Sequence, residues 1–127
     1  MVVGVRGAID IPRDTAEEVD RATRELLAEM MERNRLEPQS LAAVFFTATP
    51  DIRSEFPALA ARRMGLSGVP LMCSQEMAVH GALPRCIRVL MLVNGPLPAG
   101  GPQHVYLRGA TALRPDIASP PVTRPSP

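Results

Sequence analysis

Apolar and polar positions alternate over residues 2–9, with Val3, Val5 and Ile9 on one side and Gly4, Arg6 and Ala8 on the other. That is the period of a strand. Arg6 stands among small neighbours there, which either leaves room for a group beside it or simply exposes a strand arginine. The period changes after Thr15. Val19, Ala22, Leu26, Leu27 and Met30 form one stripe, with Glu17, Asp20, Arg21, Arg24, Glu25 and Glu29 mostly outside it, predicting an amphipathic helix to about Arg33 that covers a sheet. Thr15 and Glu18 have the spacing of a capping box at its start.

Residues 41–49 read as a strand apolar on both faces, ended by Pro50 and Asp51. A short helix fits 56–64, with Gly65 as its C-terminal glycine; if Leu59 and Leu66 face inward, only one of Arg62 and Arg63 easily meets solvent. Two apolar runs, 69–73 and 86–93, predict a further pair of strands across a loop that holds Gly81 and Pro84. Residues 94–102 are a loop by composition, and 104–107 make one more short strand. The expected fold is α+β: a five-stranded mixed sheet with one long and one short helix, in a single domain over 1–117, with a disordered proline-rich tail over 118–127. So little helix cannot cover both faces of such a sheet, so the open face is expected to meet other copies of the chain.

Composition narrows the function. The 127 residues carry a net charge of +1 with only one tyrosine and three phenylalanines. This gives no basic field and no stacking platform for nucleic acid. No apolar run approaches a membrane span, and Arg6 interrupts the first one too early for a signal peptide; a cytoplasmic protein is expected. All 14 basic residues are arginine, which rules out a lysine Schiff base. Cys73 and Cys86 lie in apolar runs and read as reduced thiols. His80 and His104 lie far apart, the cysteines form no paired motif, and no phosphate loop or dinucleotide fingerprint occurs, so neither a metal nor a cofactor is expected.

What remains is a set of arginines on or beside strands: Arg6, Arg62, Arg88 and Arg114. Arg88 sits inside Cys86-Ile-Arg-Val-Leu-Met-Leu-Val93, where its guanidinium cannot easily reach water and needs an anionic partner. Either Glu76, just after the preceding strand, satisfies it, or a ligand does. Several arginines converging on one place suit a small dicarboxylate, because their forked donors match carboxylate geometry. Tyr106 is either a core tyrosine or part of such a site, and Cys73 either packing or pocket wall.

Eight short strings extend this reading. Val5-Arg-Gly-Ala8, Ala48-Thr-Pro-Asp51, Phe56-Pro-Ala58, Val69-Pro70, Cys73-Ser-Gln-Glu-Met77, Cys86-Ile-Arg-Val89, His104-Val-Tyr-Leu107 and Leu113-Arg-Pro-Asp116, in this order, resemble the monofunctional chorismate mutases of the AroH class. The resemblance implies a homotrimeric pseudo-α/β barrel with sites between subunits. It also implies conversion of chorismate to prephenate, on the way to phenylalanine and tyrosine, without cofactor or metal. By the same resemblance Arg88 donates to the ether oxygen of the breaking bond and Glu76 accepts from the ring hydroxyl, with Cys73 beside it. Arg6 and Tyr106 bind substrate carboxylate, Phe56, Ala58 and Arg62 enter from the adjoining subunit, and Leu113 and Arg114 close over the site. Leu59 and Met72 depart from the pattern, standing where relatives can carry lysine and threonine; Met72 would form one pocket wall. Two other readings are a trimeric imine or enamine hydrolase and a non-catalytic trimer that binds small anions.

Overall fold

The computed structural model describes residues 1–116; the tail expected over 118–127 lies outside them. Strand β1 (Val2–Asp10) pairs antiparallel with β4 (Cys86–Asn94), and β4 antiparallel with β2 (Leu41–Ala48). β3 (Leu71–Gln75) runs parallel to β2, and β5 (Val105–Tyr106) runs parallel to β1 at the opposite edge. The order β3-β2-β4-β1-β5 is the mixed five-stranded sheet that the pattern predicts.

Helix α1 (Ala16–Arg33) buries the expected stripe, Val19, Ala22, Leu26, Leu27 and Met30, with Thr23. These side chains pack on Val5, Ile9, Val44, Phe46, Ile87, Val89 and Met91 of the sheet, each large one contributing about 1.5–3 kcal/mol by leaving water. Gly7 lets the helix come this close: a Cβ there would run into Met30 Sδ and the end of Leu26. Half of the capping box forms. Thr15 Oγ1 accepts from Glu18 N at 3.1 Å, but the N–H of Thr15 is taken by Arg13 O and the Glu18 carboxylate turns to Arg21.

α2 (Pro57–Ala61) starts on a proline, whose missing N–H costs nothing in a first turn. It widens through 62–66 until Gly65, at φ 94, ends it. Leu66 is buried but Leu59 only half so, which leaves both Arg62 and Arg63 outside; Arg63 pairs with Asp20 at 3.3 Å. β3 begins at Leu71 rather than at Val69. The N–H of Val69 closes a turn onto Leu66 O, and Pro70 has only its carbonyl to offer, to Val44 N. The strand then continues through the polar Ser74 and Gln75, paired with Thr47 and Ala48, beyond the end of the apolar run.

Both helices lie on one face. The other is open: Phe45, Met72 and Leu90 are exposed on it by 36%, 58% and 39%. Arg88 lies on this face, alternating with the buried Ile87 and Val89. The expectation of a charge sealed from water is therefore corrected within the single chain, where its side chain keeps 40% exposure. Among the described residues no helix is long and apolar enough to cross a membrane.

Candidate active site

The open face gathers a cavity of about 470 Å³ at its centre, lined by Arg6, Gly7, Phe45, Thr47, Glu76, Arg88, Val89, Leu90 and Tyr106. Register explains the set. Arg88 on β4 stands opposite Ala8 of β1 and Thr47 of β2, and Ala8 in turn stands beside Tyr106 of β5. Arg6 lies one step along the same face, opposite Leu90. Glu76 follows the end of β3, where its N–H donates to Ala48 O at 2.8 Å and holds its side chain over β2.

Arg88 Nε lies 3.0 Å from Glu76 Oε2. The pair is close enough for an ion pair, yet the Nε–H does not aim at the oxygen in hydrogen-bond geometry, and Nε is a buried donor without an aligned acceptor. The exposure of Arg88 therefore belongs to the rest of its guanidinium, which is turned to the cavity. Glu76 Oε1 accepts from Thr47 Oγ1 at 2.6 Å. The site thus holds a carboxylate with one oxygen fixed by a neutral hydroxyl and the other facing a cation to which it is not hydrogen-bonded.

Beside the cavity on the same face, Ala8, Cys86, Tyr106 and Ala110 pack together with Leu83 and Leu113. Burial pushes the Cys86 thiol up to about 11, against the pull of Arg88, so it stays protonated at neutral pH. At the other rim the N–H of Arg6 donates to His104 Nδ1 at 3.0 Å. Burial, then the charges of Arg6 and Arg114, hold His104 below the ordinary imidazole value. Asn34, buried at the end of α1, ties the neighbouring Gln103 through paired bonds of 2.7 and 2.9 Å, which fixes the approach to β5. Arg114 is exposed and forks onto Asp116 at 2.9 and 3.1 Å.

The other expected site residues lie elsewhere in the chain. Cys73 does not stand beside Glu76. It pairs in register with the buried Phe46 and packs against the core on the helix side, where burial raises its thiol against the N–H of Ala58 and the charge of Arg62. Phe56 and Cys73 line a second cleft of about 330 Å³ with Pro57 and Ser74. The chain therefore carries two separate groups: Arg6, Glu76, Arg88 and Tyr106 on the open face, and Phe56, Ala58, Arg62 and Cys73 around α2. Met72 is exposed on the open face beside Phe45. Thr47 went unread in the sequence, although it is the one hydroxyl on the outward side of an otherwise apolar strand. Among the described residues no three His, Cys, Asp or Glu side chains come together as a metal would need.

The family model described as Chorismate mutase type I matches residues 2–117. The chain is 52% identical over 120 residues to the chorismate mutase AroH of Thermus thermophilus, covering 94% of this chain and 98% of the relative. It is 42% identical over 119 residues to the chorismate mutase AroH of Bacillus subtilis (strain 168), covering 93% and 94%. The solved chorismate mutase from Clostridium thermocellum superposes with a TM-score of 0.83 at 43% identity, covering 86% of this chain and 97% of that one.

Proposed function

The chain belongs to the type I chorismate mutase family, and from that premise we propose how its own residues carry out the isomerisation of chorismate to prephenate. The reaction is a Claisen rearrangement: one C–O bond breaks as a C–C bond forms within the same molecule. It needs no nucleophile. The protein has to hold the diaxial conformer and stabilise the charge that separates as the C–O bond stretches.

The observation that carries the reading is the convergence of Arg6, Glu76, Arg88 and Tyr106 on one cavity. Negative charge grows on the enolpyruvyl oxygen, and a fixed guanidinium there is worth about 3–4 kcal/mol in the transition state. Arg88 holds that place, with its Nε still lacking an aligned acceptor. Glu76 accepts from the ring hydroxyl. Arg6 and Tyr106 take substrate carboxylate, which supplies the orientation term.

The second group completes the site from a neighbouring subunit. In a trimer whose barrel is built from the open sheet faces, Phe56, Ala58 and Arg62 meet the cavity of the next copy. Cys73, which sits with Ala58 and Arg62, enters with them as a wall rather than as a partner of Glu76. The exposed Phe45, Met72 and Leu90 support burial of that face against other copies. Leu113, packed beside Tyr106, and Arg114 close the rim.

Purified protein should consume the ultraviolet absorbance of chorismate and release prephenate, identified by mass and by its acid conversion to phenylpyruvate. Unchanged chorismate would sink the reading. A trimeric imine or enamine hydrolase, or a non-catalytic anion binder, gains no support from the pairing of Arg88 with Glu76.

A further inference from the structure

We propose that Thr47 is a positioning residue for the reaction: its hydroxyl locks the Glu76 carboxylate so that it stays in place when substrate engages Arg88. The inference rests on the reading above, in which Arg88 and Glu76 serve different ends of one substrate.

The geometry divides the two oxygens of Glu76. Oε1 is held by Thr47 Oγ1 at 2.6 Å, the short distance of a hydroxyl bound to a charged carboxylate. Oε2 faces Arg88 Nε at 3.0 Å without hydrogen-bond alignment. With the cavity empty, the attraction of Arg88 alone would keep the carboxylate roughly where it is. With substrate bound, the guanidinium is engaged by the ether oxygen, and an untethered glutamate at the end of β3 could turn onto the guanidinium or swing out to water.

Thr47 prevents both. It sits on β2, between β3 and β4, in register with Ser74 on one side and Arg88 on the other. Its β-branched side chain has few rotamers to choose from, so the hydroxyl is a fixed point. The bond from Glu76 N to Ala48 O anchors the backbone of the glutamate to the same strand. Thr47 therefore spends Oε1 on the protein and leaves Oε2 for the ring hydroxyl. It touches no reacting atom itself.

The test is a cycle of variants assayed with chorismate. Thr47→Val keeps shape and strand preference but removes the donor; kcat/KM should fall about tenfold, the scale of a lost hydrogen bond to a charged group, with an unchanged circular dichroism spectrum. Thr47→Ser restores the donor and should recover most of the loss. On a Glu76→Ala background, Thr47→Val should cost nothing further, because the group it positions is gone. Wild-type kcat/KM in Thr47→Val beside an impaired Glu76→Ala overturns the role of Thr47 and leaves that of Glu76 standing. Additive losses in the double variant, or no recovery with serine, also overturn it. A fully active Glu76→Ala would instead mean that the reading of the site itself has failed.

Discussion

Arg88 on β4 and Glu76 just past the end of β3 stand 3.0 Å apart across the intervening β2, without the alignment of a hydrogen bond. A structural ion pair would be expected to satisfy both groups. Here the cation is offered to the cavity, and the carboxylate is held from its other side by Thr47. That geometry supports the proposal that the pair serves two poles of one substrate rather than bracing the sheet.

Arg88→Ala should therefore lower kcat by about two to three orders of magnitude, the cost of removing one preorganised donor to a developing oxyanion. Its circular dichroism should match the parent, since the side chain lies on the open face and props up no core residue. Glu76→Ala should lose less, because a ring-hydroxyl contact changes little as the C–O bond breaks. Steady-state assays that find near-normal turnover in Arg88→Ala would remove the electrostatic role.

Gly7→Ala should destabilise the protein, by about 1–3 kcal/mol for forced overpacking. A methyl there meets Met30 Sδ and Leu26, so α1 must lift from β1 or Met30 must find another rotamer. In an open strand the same change would be mildly favourable. Urea unfolding that gave a variant as stable as the parent would show that the helix yields freely.

Much of this was legible beforehand. The alternation of β1, the helical stripe of α1 and the short apolar runs locate every strand of the sheet and both helices, because burial leaves its mark on the order of apolar residues. Register could not be read, and register decides the site: only the pairing of Thr47 with Arg88 and of Ala8 with Tyr106 brings distant strings onto one face. The sequence also misled about Arg88. Its flanking apolar residues belong partly to the opposite face, so the run looked sealed where the isolated chain is open. The family resemblance sets Cys73 beside Glu76, yet strand alternation sends its thiol to the helix side.

The buried Cys86 predicts an alkaline weakness. Its thiol is raised to about 11 from an ordinary 9.0, so between those values the unfolded chain has lost a proton that the folded chain keeps. Stability should fall as pH rises through that window. Cys86→Ala should flatten this part of the curve. An identical slope for parent and variant in urea unfolding would refute the assignment.

His104 predicts the acid side. Burial and the charges of Arg6 and Arg114 lower its folded value below the ordinary 6.5, so below pH 6.5 the unfolded chain takes up a proton first. Stability should drop as pH falls from 6.5 and level off once pH passes under the folded value. Asp116 forks onto Arg114 and feels the charge of Arg6. His104→Asn keeps an acceptor for the N–H of Arg6 but cannot titrate, so it should be flatter over that range. Equal acid sensitivity would place the titrating group elsewhere.

The separation of Arg6, Glu76, Arg88 and Tyr106 from Phe56, Ala58, Arg62 and Cys73 within one chain predicts that activity can be rebuilt from two impaired parents. Light scattering should give three times the 13.7 kDa chain mass, and Leu90→Glu, which puts a charge on the open face, should give the monomer. Arg88→Ala disables the cavity and Arg62→Ala weakens the complementary wall. When the two variants are unfolded together and refolded as mixed trimers, some sites receive an intact Arg88 from one copy and an intact Arg62 from its neighbour. Those sites should turn over chorismate well above either parent refolded alone. If each site were instead built within one chain, mixing would yield no more than the average of the parents, and the shared-site assembly would be wrong.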